Sequence, residues 1–127
     1  MIPLENWKYF PARKLPEIDI AGTRFILDLR LWECREVNDF SNRFSLDDLH
    51  VTQNGFTCCF DLTTKNLFHG TREEFEQRRQ DLSIVQLPSI SKMDPVGYRA
   101  MMGLAPLKQS RPLLEKKRVR KSKGKRL

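Results

Sequence analysis

A chain of 127 residues with 39% hydrophobic side chains and a formal net charge of +7 fits one small folded unit. It contains no run of about 18 apolar residues, which excludes a membrane-spanning helix. The charge is unevenly placed: residues 107–127 hold ten basic side chains and one acid, a net +9, whereas residues 1–106 hold thirteen basic and fifteen acidic side chains, a net −2.

The chain divides into an extended N-terminal arm (1–16), a single α+β domain (17–106) and a basic tail (107–127). The N-terminus lacks a basic stretch followed by an apolar one, so no secretory signal is expected. Cys34, Cys58 and Cys59 are an odd number, and the adjacent pair alternates faces on a strand, which disfavours a disulfide. A cytoplasmic location follows, nucleoid-associated at most, or nuclear in a eukaryote.

Pro3, Pro11 and Pro16 keep the arm out of regular helix and sheet, while Trp7, Tyr9 and Phe10 give it apolar content. Two readings follow for these aromatics: packing on their own domain, or binding a protein partner. Next, Glu17 to Ile20 and Thr23 to Trp32 read as strands joined by an Ala21-Gly22 turn. Phe25, Leu27, Leu29 and Leu31 point inward along the second strand, with Arg24, Asp28 and Arg30 outward. Cys34 to Val37 extends it, and Asn38 to Asn42 is a loop by composition. Ser45, with Asp48 three residues on, predicts a short helical turn.

Asn54-Gly55 predicts a type I′ hairpin in which Val51 faces Cys58 and His50 faces Cys59. Leu49, Val51, Phe56, Cys58, Phe60 and Leu62 form its apolar face. A further turn leads into Leu67-Phe68-His69, completing a three-stranded meander. Thr71 and Glu74 form a capping box that opens a helix over about 72–82, with a narrow apolar stripe that leaves it mostly in water. Ser83 to Leu87 is another strand, ended by Pro88. Asp94 as N-cap, Pro95 at the first position and Gly103 as the stop define the last helix. The predicted architecture is an antiparallel meander sheet of four to five strands with two helices.

Few residues offer chemistry. His50, Cys58, Cys59 and His69 are the only metal-type group, and they lack the C-x2-C or H-x3-H spacing of a structural zinc site. No metal or cofactor is expected. A Cys59–His50 nucleophile pair has proximity in the predicted register but nothing to lower the thiol pKa. Phosphate-loop, Rossmann and catalytic-serine motifs are missing, so no catalytic residues are assigned and a non-enzymatic protein is expected.

The tail carries the functional signal. Lys116, Lys117, Arg118, Arg120, Lys121, Lys123, Lys125 and Arg126 are interrupted only by Val119, Ser122 and Gly124. Such a segment is expected to be disordered when free and to neutralise phosphates without reading bases. Nucleic acid is the first partner this suggests, DNA or RNA. An acidic protein surface or a solubilising role are the alternatives. No membrane binding is expected, because 104–114 forms no clear amphipathic helix.

The run Leu15 to Phe25, Asn38-Asp39, Asp61-x-x-Thr64-Lys65-Asn66, Asp94-Pro95-x-Gly97 and Gly103-Leu104 resemble small uncharacterised accessory proteins of bacterial mobile elements and phages, some fused into polyvalent proteins. The resemblance spans about residues 15–104 and implies no catalytic residues. The expected function is an accessory protein held to nucleic acid or a nucleoprotein complex by its tail. The alternative is a regulator or inhibitor of one protein partner, using the aromatic arm and the folded body.

Overall fold

Turn chemistry sets the first half of the fold in the computed structural model, which describes residues 2–104. Ala21 and Gly22 both take positive φ, 51° and 92°, and join β1 (Glu17–Ile20) to β2 (Thr23–Asp28). The predicted long strand then breaks at Asp28. Its carboxylate accepts a hydrogen bond from the Leu31 backbone N–H (3.2 Å), which turns the chain into β3 (Glu33–Glu36). The alternation of leucines concealed this turn: Leu29 is buried, but Leu31 is 57% exposed. Asp28, expected on the outer face, is buried and paired with Arg35 at 2.9 Å.

The segment 38–42, expected as a loop, lies largely in β4 (Asp39–Ser45). Its polar composition suits the edge of the sheet β1-β2-β3-β4. Asn42 there donates to Glu36 in its own sheet and to the carbonyl of Lys65, in a turn at the other sheet.

After a 3-10 turn over Leu46–Asp48, capped by the Ser45 hydroxyl as expected, comes the second sheet. It holds β5 (His50–Thr52), β6 (Gly55–Asp61), β7 (Asn66–Leu67) and β8 (Leu82–Pro88). β8 runs along one side of β6, while β5 and β7 share the other side end to end. The β5–β6 register differs by two from the expected one: His50 pairs with Thr57, Val51 with Phe56 and Thr52 with Gly55. The turn is therefore Gln53-Asn54, and Gly55 has a different task. A Cβ at Gly55 would run into the Leu87 carbonyl and the Pro88 backbone, so glycine allows β8 to close on β6.

Both sheets contribute to one core. Phe25 of β2 stacks edge-on against Phe44 of β4 and Phe60 of β6, with centroids at 5.4 and 5.9 Å. The α+β class holds, with antiparallel meanders and short helices. Among the described residues the strands number eight in two four-stranded sheets, rather than four or five in one. Leu49, Cys58 and Phe60 are inside as expected, whereas Val51 (81%) and Leu62 (43%) are exposed because they lie at a sheet edge and in a turn.

The Thr71–Glu74 capping box is present and opens α1 (Arg72–Gln77). The predicted helix over 72–82 stops early: a 3-10 turn covers Arg79–Asp81, and Leu82 already pairs with Asp61 in β8. α2 (Ile90–Met93) is an added turn before α3 (Pro95–Met101), which has the expected Asp94 cap and Pro95 start. The arm also departs from expectation, since Leu4–Tyr9 forms a 3-10 helix following Pro3. Pro3 does not forbid this helix because it sits just before the first turn, where no intrahelical N–H is needed. The basic tail lies outside the described residues.

Candidate nucleic-acid interface

The arm is fixed to α3 by side chains far apart in sequence. Asp94 caps α3 by accepting the Gly97 N–H at 2.9 Å. The same carboxylate receives both terminal nitrogens of Arg13, at 2.9 and 2.8 Å. Asp94 is 2% exposed, so this is a largely desolvated bidentate pair. A Cβ at Gly97 would collide with Asp94 and crowd Arg13, which explains glycine inside a helix. One turn on, Asn6 donates to the Met101 carbonyl at 2.9 Å.

α3 ends in a Schellman closure. Gly103 has φ of 76°, its N–H reaches the Ala100 carbonyl at 3.0 Å, and the Leu104 N–H reaches the Arg99 carbonyl at 2.8 Å. A Cβ on Gly103 would touch the Asn6 side chain, so the end of α3 lies beside the 3-10 helix of the arm. The residues leading into the +9 tail are therefore close to the part of the arm that carries Trp7.

A cleft of about 390 Å³ lies between the arm and the β2–β3 turn. Trp7 and Phe10 line it from the arm, and Asp28, Leu29 and Arg30 from the turn. The turn holds its shape through Asp28 and through Trp32, whose φ of 58° is unusual for a bulky side chain. The left-handed conformation costs about 1–2 kcal/mol, offset by packing on the core and by a 2.9 Å bond from the Trp32 indole N–H to Asp47. Arg30 is thereby held with its guanidinium 4.8 Å from the Trp7 ring and 5.9 Å from the Phe10 ring. Lys8 and Lys14 are exposed on the same arm.

Trp7, Tyr9 and Phe10, the sequence candidates for protein binding, are each half-buried, with Trp7 and Phe10 packed against their own core. Sequence reasoning does not single out Arg30. It sits in what reads as the outer face of a strand, and only the turn brings it to the arm. The eight tail residues from Lys116 to Arg126 lie outside the described residues.

The histidine and cysteine group occupies a second cleft, of about 310 Å³, lined in part by His50, Cys58, Cys59, Phe68 and His69. His50 and Cys59 are not cross-strand partners, because His50 pairs with Thr57 and Cys59 with Ile84. Among the described residues no three His, Cys, Asp or Glu side chains are placed to hold a metal ion. Burial pushes the Cys58 thiol up to about 11, and burial with nearby Asp61 raises Cys59. Both shifts run opposite to what a nucleophilic thiolate needs. No helix among the described residues is long and apolar enough to cross a membrane. No family model matches the chain, and neither a curated protein nor a solved structure matches it.

Proposed function

We propose that the protein is a non-enzymatic accessory factor that binds nucleic acid, DNA or RNA, through Lys116, Lys117, Arg118, Arg120, Lys121, Lys123, Lys125 and Arg126, without sequence readout. One observation carries this reading: ten basic side chains in 21 residues are attached to a body of net −2. A dense cationic segment of that kind gains affinity by releasing counterions from phosphates, and a contact made mostly by side-chain charge has no means to distinguish bases. The resemblance to mobile-element accessory proteins and a cytoplasmic location are part of the same proposal.

The test compares the full chain with a chain ending at Pro106, titrated with duplex and single-stranded oligonucleotides at several salt concentrations. The full chain is expected to show a log–log salt slope of about −4 to −7 on duplex, from roughly five to eight phosphates. The shortened chain loses most of the affinity and of the slope. Equal affinity and slope in both chains would overturn the tail as the binding element.

A second reading, a regulator of one protein partner, is favoured by apolar side chains left outside the second sheet, Val51 at 81% and Ile84 at 62% exposure. It predicts that neither chain binds nucleic acid at low salt.

A further inference from the structure

We infer that the cleft between the arm and the β2–β3 turn is a base-binding site, in which an unpaired base of single-stranded nucleic acid stacks on the Arg30–Trp7–Phe10 group. The inference deepens the proposed function and rests on it, since the tail supplies the phosphate attraction.

Two observations on the cleft support it independently of the tail, and a third comes from the arm. First, Arg30 is exposed and makes no ion pair among the described residues; its guanidinium is held over aromatic neighbours instead, 4.8 Å from Trp7 and 5.9 Å from Phe10. A guanidinium so placed is a cationic plane on which a base stacks. Second, the cleft of about 390 Å³ combines aromatic walls with polar lining from Arg13, Asp28 and Arg30, which suits a flat heterocycle better than a purely apolar ligand.

Third, the end of α3 lies against the same arm. The Asn6 side chain binds the Met101 carbonyl and borders Gly103, so the last described residues lie beside the residue that precedes Trp7. Lys8 and Lys14 continue the positive charge along the arm, with Glu5 the one acid in the 3-10 helix. A duplex keeps its base faces covered by neighbouring base pairs, so only unpaired bases reach such a platform.

The experiment measures binding of the full-length protein to four probes at one low salt concentration. These are oligothymidylate, oligouridylate, an abasic strand with the same number of phosphates, and duplex DNA. The base-bearing strands are expected to bind about five- to fiftyfold more tightly than the abasic strand, the size of one stacked base. The two base-bearing probes distinguish a DNA from an RNA preference at the same platform. In Arg30→Lys, which keeps the charge and removes the plane, the ratio of base-bearing to abasic affinity falls to near one. Phe10→Leu lowers the same ratio.

Equal binding of base-bearing and abasic strands by the unaltered protein overturns the base site and leaves the tail reading standing. A ratio that survives Arg30→Lys overturns it too. If no probe binds, both the base site and the proposed function fall.

Discussion

The arm cleft and the histidine–cysteine cleft are similar in size, about 390 and 310 Å³, and opposite in what their residues promise. By residue type the second is richer, with both histidines and two of the three cysteines of the chain. Its environment works against that chemistry: the thiols are raised, and His50 faces Thr57 instead of Cys59. The first cleft offers two arginines, two aromatics and Asp28, which is already paired with Arg35. There the backbone of a turn holds the Arg30 guanidinium against the rings. Placement, and not the inventory of reactive groups, separates the two.

Each cleft also has a buried aspartate beside it that takes both terminal nitrogens of one arginine. Asp94 with Arg13 fastens the arm to α3, and Asp61 with Arg78 fastens α1 to the end of β6, at 2.7 and 2.9 Å. These pairs give the most direct ways to test the comparison. The largest effect is expected from Asp94→Ala, which strands Arg13 and removes the α3 cap together. Unfolding by urea should show a loss of about 3 kcal/mol or more. Base-dependent binding should fall with it, because the arm loses its anchor. A loss under about 1 kcal/mol would mean that the arm is held by its aromatic packing alone.

Asp61 gives a smaller effect, readable by pH. The hydrogen bonds from Arg78 hold its carboxyl below the ordinary value, with burial opposing and the Thr63 and Thr64 backbone N–H groups assisting. The folded pKa is depressed, so the unfolded state takes up the proton first. The contribution to stability is complete above the ordinary carboxylate pKa of about 4 and is lost as pH falls toward the folded value. Arg78→Ala should flatten the dependence of unfolding free energy on pH below about 4, measured by urea titration. An unchanged acid limb would show that the pair is not what depresses Asp61.

The smallest effect concerns Cys59. Its raised pKa predicts alkylation by iodoacetamide at neutral pH more slowly than a free cysteine, with Cys34 (pushed up to about 12, mainly by burial) slower still in the folded protein. Cys59→Ser should change stability by less than about 1 kcal/mol. A Cys59 that reacts faster than free cysteine at neutral pH would restore the second cleft as a chemical site.

Several residues of the short sequence motifs have structural tasks. Asp61 receives the turn N–H groups, Lys65 takes a φ of 58°, Asp94 caps α3, and Gly97 makes room for the Asp94–Arg13 pair. Much of this was readable in sequence because caps and tight turns are decided within three or four residues. The Thr71–Glu74 box and the Ala21-Gly22 turn are examples. The Asn54-Gly55 dipeptide shows where local reading fails. Its glycine answers to the Leu87 and Pro88 backbone of β8, far along the chain, and the hairpin register moves by two as a result.

The sequence by itself determined the antiparallel α+β class, the helix caps, the first turn and the separation of a cationic tail from a mildly acidic body. Those follow from backbone preferences, side-chain alternation and charge, all of which are local or additive. Only the tertiary structure decided that Arg13 meets Asp94 across 81 positions, that Asp28 turns inward to end a strand, and that Arg30 comes to lie over Trp7. Such contacts depend on how two sheets and an arm pack around a shared core. No spacing within one segment encodes the position of another segment's side chain.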